Sequence, residues 1–254
     1  MDVVYNHTAL SENSSFEQLV PGYYYRKNND GFFSNASACG NETASEKPMV
    51  RNFMLQSLKH WLTEYHIDGF RFDLMGHQPK QVMVDMQNKL QKILKKRIDF
   101  VGEGWNFGEV ANGARFVQAS QLSLNGTGIG TFNDRLRDAI RGGGAGDSVE
   151  NLIKMPGFVS GRESSERVSE QIRAGLAGSL RNYRMATADG KVKALQDIPY
   201  GDQPTGYVSQ PSEVVNYAEN HDNLTLFDSL AYKLPRETTS AERARVQMLA
   251  GALV

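Results

Sequence analysis

A single cysteine, Cys39, stands in 254 residues, so no intrachain disulfide can form and cysteine usage leaves the compartment open. Neither sign of charge is in excess, with 28 basic against 29 acidic residues and a net charge of -1. Without a one-signed field the chain has no electrostatic hold on nucleic acid or on an anionic membrane surface. Long apolar runs are missing, and the opening MDVVYNHTAL has no basic flank before an apolar stretch, so neither a membrane span nor an export signal is read here. Extracellular, cell-surface and cytoplasmic placement stay equally open, and nothing in the composition speaks to oligomeric state. Zinc is excluded by ligand spacing, because the five histidines are scattered and one cysteine cannot complete a thiolate set.

What is present is a chain 40% hydrophobic, long enough for one large core, and a single domain over residues 1–254 is expected. Short β-rich runs alternate with amphipathic segments, the pattern of repeated βα units around a parallel sheet. The first run is Val3 to Tyr5, followed by a polar loop reaching about Thr43, far longer than the usual ~2–6 residue connection. Val50, Phe53, Met54, Leu58, Trp61, Leu62 and Tyr65 recur at helical spacing over Pro48 to Tyr65, with Ser45 as the expected N-cap. The run Ile67 to Leu74 alternates as a strand, placing Phe70, Phe72 and Leu74 on one face and Gly69, Arg71 and Asp73 on the other.

A second helix carries Val82, Met83, Met86, Leu90, Ile93 and Leu94, closed by Lys95, Lys96 and Arg97, and Asp99 to Glu103 reads as the next strand. Residues 120–146 read as glycine-rich and irregular around a short segment near Phe132 to Ile140. The triplet of glycines in Asn125 to Gly130 suits a turn rather than a nucleotide loop, since Thr131 breaks the required spacing. A third helix is expected from about Ser165 to Tyr183, a last strand over Val214 to Ala218 and a final helix from Ser240. These make about five βα-like units, where a closed barrel needs eight.

Four polar clusters stand at predicted strand ends: Asp2 to His7, Gly69 to His77, Gly102 to Trp105 and Asn216 to Asp222. Glycoside hydrolysis needs one carboxylate at the oxocarbenium-like centre and one carboxylic acid to protonate the leaving oxygen. Asp73 and Glu103 suit those roles. Arg71, two residues before Asp73 on the same face, can hold that carboxylate ionised and oriented. Glu103 lies between two glycines that permit close substrate approach, and an apolar neighbour such as Trp105 would keep it protonated. Asp222, next to His221, is placed to grip sugar hydroxyls and favour a distorted ring.

Taken in order, these clusters resemble the four signature segments of the α-amylase superfamily of glycoside hydrolases. DGFRFDLMGH, GEGWNFGEV, GTGIGTFNDRLRDAI and YAENHDNLTLFD, with the loops PGYYYRKNNDGFF and CGNETASEKPMV, are similar in finer detail to pullulanases and limit dextrinases. The resemblance implies an α/β fold, an incomplete (β/α)8 TIM barrel covering roughly the third to seventh βα units, with long functional loops. It also implies retaining hydrolysis of α-1,6 branch linkages in pullulan, limit dextrins, amylopectin or glycogen, with an α-glucan polysaccharide or oligosaccharide as partner.

By the same resemblance Asp73 matches the nucleophile, Glu103 the acid/base and Asp222 the transition-state-stabilising aspartate. His7, Arg71, His77, Trp105 and His221 match substrate-side contacts, while Asp2 and Asn6 organise the first segment. No cofactor is required for this chemistry, and structural calcium remains open because relatives often bind it and the loops are rich in oxygen ligands. Gln78 stands where many relatives carry a second histidine, which would alter an aglycone-side contact. The family's YNWGYDP-type segment, its earliest strands and its final strand have no counterpart, implying a barrel truncated at both ends. Two alternatives stand beside the main reading: an α-1,4-acting amylase or neopullulanase-like enzyme, and an inactive fragment that at most binds glucan.

Overall fold

The computed structural model describes residues 1–161 and 165–254, which form two compact units, Met1–Thr131 and Phe132–Val254. Both are mixed α/β, and the first holds a parallel sheet. Among the described residues no helix is long and apolar enough to cross a membrane.

In the first unit β1 (Asp2–Val3), β2 (Gly69–Phe72), β3 (Asp99–Gly102) and the start of β4 (Gly130–Phe132) lie side by side in that order, all parallel. The short helix α1 (Ser15–Leu19) sits in the long first loop, while α2 (Pro48–Glu64) and α3 (Lys80–Leu94) follow β1 and β2. Val50, Met54, Leu58 and Leu62 of α2 and Val82, Met83, Met86 and Leu90 of α3 bury with Phe70, Phe72 and Phe100 in one core. Each fully buried side chain of this kind contributes about 1.5–3 kcal/mol.

Two details of the periodicity reading change. Phe53 and Tyr65 are 46% and 60% exposed, so the buried stripe of α2 is narrower than its apolar spacing suggests. Lys47, not Ser45, is the N-cap, because the Ser45 hydroxyl is buried and accepts from Arg26, and Pro48 supplies the first helical turn. Leu74 also leaves the strand face: its φ of 37° is left-handed, which ends β2 and opens a single 3-10 turn over Met75–His77. After β3 no α-helix follows before β4; the chain takes an irregular course with one 3-10 segment at Gly108–Gly113.

In the second unit α4 (Asp134–Arg141) is capped by the Asn133 side chain, α5 (Val149–Lys154) by Ser148 and α6 (Glu166–Leu176) by Ser165. Helix α6 ends at Leu176 rather than Tyr183 because Gly178 and Ser179 take positive φ and turn the chain. Two antiparallel ribbons follow, β5 (Arg184–Ala186) with β6 (Val192–Ala194) and β7 (Pro199–Tyr200) with β8 (Gln203–Pro204). Strand β9 spans only Val214–Val215, where the Val215 carbonyl accepts from the Asn133 N–H. Helices α7 (Leu226–Lys233) and α8 (Ser240–Gly251) close the unit. Its core joins Leu136 and Ile140 of α4 to Ile172, Leu226 and Leu230. A capping box of Thr239 and Glu242 starts α8, worth about 1 kcal/mol. Its apolar positions are mostly outward, with Met248 73% exposed.

Candidate active site

The parallel register places Asp2 beside Arg71 and Phe72 beside Gly102, so residues just past the ends of β2 and β3 emerge at one edge. Period-two alternation turns Arg71 and Asp73 to the same face. There Arg71 Nη1 donates to Asp2 Oδ1 at 2.9 Å and to Asp73 Oδ1 at 3.0 Å, while Nη2 meets Glu103 Oε1 at 2.9 Å. One guanidinium thus gathers three carboxylates from three strands. Burial works against the Arg71 charge, and Asp2, Glu103 and Asp73 outweigh it and raise its pKa above the ordinary arginine range.

The backbone locks the same edge. Asp73 N–H donates to Val3 O at 3.0 Å, Glu103 N–H to Phe72 O at 3.2 Å, and Gly76 N–H to Glu103 O at 2.8 Å. The left-handed turn at Leu74 aims its N–H at Glu103 Oε2, 2.8 Å away. Glu103 is almost fully buried, and its partners include this amide and Arg71. The immediate neighbours of its carboxylate therefore include polar donors where an apolar one was expected. The flanking glycines also serve a different purpose from the expected one. A Cβ on Gly102 would lie 2.7 Å from Phe72 O, and one on Gly104 2.7 Å from Gln121 N, so the space is taken by protein backbone rather than left for a sugar.

Just past β1, Asn6 is buried and its Nδ2 lies 3.0 Å from His7 Nδ1, while the Asn6 backbone carbonyl accepts from Thr43 N–H. Trp105 is half-buried, and its carbonyl accepts from Gln118 Nε2 at 3.2 Å. His77 departs from expectation. It is 0% exposed, packed edge-on to Phe107 at 4.7 Å, so no sugar can reach it in this arrangement. Burial, followed by the nearby Arg26 charge, lowers its pKa to about 4. Gln78, 1% exposed, is likewise withdrawn from any sugar-facing contact.

Around His77 lies a cluster that the sequence did not disclose. Arg26, Glu42 and Glu109 come from loops with no periodic signal, and Arg26 Nη2 donates to His77 O at 2.9 Å. Glu42 lies 3.7 Å from His77 Nδ1 through Oε1 and 3.8 Å from Arg26 Nη1 through Oε2. Burial first, then hydrogen bonding and repulsion from Glu109, raise the Glu42 pKa. Against its own burial, Glu109 is lowered by Glu42, Ser34, Arg115 and Arg26.

In the second unit Asp222 is fixed by Asn220, whose Nδ2 donates to Asp222 Oδ2 at 2.8 Å and whose Oδ1 accepts the Asp222 N–H at 3.1 Å. His221 is exposed, with Nε2 3.9 Å from Asp222 Oδ1. Asn223 holds the next position in a left-handed conformation and donates from Nδ2 to Ala145 O at 2.9 Å. Among the described residues no group of three or more His, Cys, Asp or Glu side chains is arranged to hold a metal ion.

No protein-family model matches the sequence. The chloroplastic pullulanase 1 of Arabidopsis thaliana is 40% identical over 100% of this chain, which covers 29% of that protein. The pullulanase of Bacillus subtilis is 37% identical over 100% of this chain and 31% of that protein. The crystal structure of Klebsiella pneumoniae pullulanase complexed with maltotriose superposes with a TM-score of 0.92 at 39% identity, covering 100% of this chain and 25% of that one. The chain thus spans between 25% and 31% of the length of these relatives. Along its whole length, in sequence and in fold, it corresponds to a segment of the pullulanases.

Proposed function

We propose that this chain carries the reacting carboxylates of a retaining glycoside hydrolase that cleaves α-1,6-glucosidic branch linkages. The observation that carries the reading is Arg71, which holds Asp73 and Glu103 on neighbouring nitrogens of one guanidinium at the edge of a parallel sheet. In an α/β barrel that edge is where catalytic groups collect. Asp73 attacks the anomeric carbon and forms a glucosyl ester, and Glu103 gives its proton to the departing glycosidic oxygen. Glu103 then takes a proton from the water that opens the ester, restoring both groups with the anomeric configuration retained. This chemistry needs no cofactor.

Asp222, matched by its segment to the transition-state-stabilising aspartate, is the third group, with His221, His7 and Trp105 on the substrate side. The substrate is an α-glucan such as pullulan, a limit dextrin, amylopectin or glycogen; the maltotriose bound by the Klebsiella relative is of this class. The chain reads as one partial catalytic domain, roughly the third to seventh βα units of a (β/α)8 barrel.

The test is hydrolysis of pullulan and linear maltodextrin by the protein carrying this sequence, with Asp73→Asn and Glu103→Gln beside it. Maltotriose as the sole pullulan product supports α-1,6 specificity. Attack on maltodextrin instead would support the α-1,4-acting alternative. Either variant should lose orders of magnitude in kcat while still binding oligosaccharide, and near-normal turnover in one removes that residue from the mechanism. The same assay on the 254-residue chain alone, with its thermal unfolding, decides whether this segment acts by itself.

A further inference from the structure

Arg26 is 2% exposed and lies in the long loop after β1. Its Nη2 donates to His77 O at 2.9 Å and to Ser45 Oγ at 3.2 Å, and its Nε donates to Glu46 Oε2 at 3.1 Å. The same guanidinium lies 3.8 Å from Glu42 Oε2 and 3.9 Å from Glu109 Oε1, with the Phe116 ring 5.0 Å from its Cζ. His77 closes the turn that begins just after Asp73, and Glu109 lies in the segment that leaves Glu103. One buried cation therefore meets the three chain segments that leave β1, β2 and β3.

We propose that Arg26 is a positioning residue for the reaction, tying the segment after Asp73 and the segment after Glu103 to the long first loop through His77 O and Glu109. The inference rests on the roles given above to Asp73 and Glu103.

A packed arginine with only a structural role would change stability without changing the chemical step. Arg26 differs because its two anchor points flank the reacting pair. His77 O belongs to the turn whose Leu74 N–H bonds the Glu103 carboxylate, and whose Gly76 N–H bonds the Glu103 carbonyl. Release of that turn shifts the donors on Glu103 and the exit of Asp73 together. Displacements of about 1 Å at such a site cost about 100-fold in rate. Lysine keeps the charge but lacks the fork that spans His77 O and Glu46, so it restores the function only in part.

The experiment measures kcat, KM, the pH–rate profile and thermal unfolding for Arg26→Met, Arg26→Lys, Glu109→Gln and Asp73→Asn in the protein carrying this sequence. Amide hydrogen exchange is followed over residues 74–78 and 104–113. Arg26→Met is expected to lower kcat by about 10- to 100-fold with little change in KM, to shift the pH–rate profile and to speed exchange in both segments, with Arg26→Lys intermediate. Should Arg26→Met fail to unfold cooperatively, Glu109→Gln carries the test, because Glu109 is partly exposed and the substitution keeps its shape. Faster exchange in 104–113 with lowered kcat then supports the proposal. Unchanged kcat, pH profile and exchange in the folded variant overturn it. If Asp73→Asn is inactive while the Arg26 and Glu109 variants behave normally, only the positioning role fails. Turnover retained by Asp73→Asn overturns the catalytic reading itself.

Discussion

Arg71 and Glu103 meet at 2.9 Å across neighbouring parallel strands, on a guanidinium that also bonds Asp73. The group that would deliver a proton and the group that would attack carbon thus share one fixed cation. A planar fork is needed for this, since two acceptors are met by different nitrogens. Arg71→Lys is expected to lower kcat on the order of 100-fold, although the charge is kept. Steady-state kinetics on pullulan check this, and a Lys variant with near-native kcat would show that the fork is dispensable.

Stereochemistry provides an independent check on Asp73. A covalent ester at that residue requires two displacements, so the newly freed reducing end appears first in the α configuration. Proton NMR of the anomeric signals during the first minutes of pullulan cleavage reads this directly. Initial release of the β anomer would take Asp73 out of the nucleophile's role.

His77 gives a pH dependence whose sign follows from its burial. Its folded pKa of about 4 lies below the ordinary 6.5, so between those values the unfolded chain binds a proton that the folded chain does not. The stability linked to the neutral ring is fully present above about 6.5 and is lost as pH falls toward 4, by at most roughly 3 kcal/mol. Glu42, raised by burial and by Glu109, opposes this, since its contribution falls as pH rises. Urea melts at pH 7 and pH 4.5 should show a smaller acid loss in His77→Asn than in the native chain. Equal losses would mean that the imidazole is not the linked group.

Gly76 should tolerate no side chain. A Cβ there would sit 2.2 Å from the Trp105 carbonyl, which is backbone and cannot swing aside. Gly76→Ala is expected to cost about 1–3 kcal/mol and to disturb the segment after Glu103. Chemical denaturation measures the loss; a variant as stable as the native chain would mean that the turn relaxes freely.

The strand ends and their order were legible because period-two alternation brings Arg71 and Asp73 to one face, and that pairing is what the structure contains. The Arg71–Glu103 contact was not, since it depends on the register between β2 and β3 and on the left-handed turn at Leu74. Helix α4 was read only as a short segment because Arg135, Arg137 and Arg141 are buried beside its apolar residues. Apolar periodicity cannot detect a face where Arg135 lies over Tyr200 and Tyr207 and Arg137 bonds Tyr217. Helix α7 was hidden by a run of polar residues between β9 and its cap at Thr225. His77 was misjudged because its motif neighbours suggested a ligand contact, whereas the loop bearing Arg26 and Glu42 folds over it.

The Leu74 amide leans on the carboxylate of Glu103, so the peptide that follows Asp73 is wired to that carboxylate. Were Glu103 to gain or shed a proton, the strength of that hydrogen bond would change. The Leu74 backbone resonance in a nitrogen-15 spectrum is thus a built-in indicator, reporting the ionisation of the Glu103 carboxyl without any label placed on that side chain.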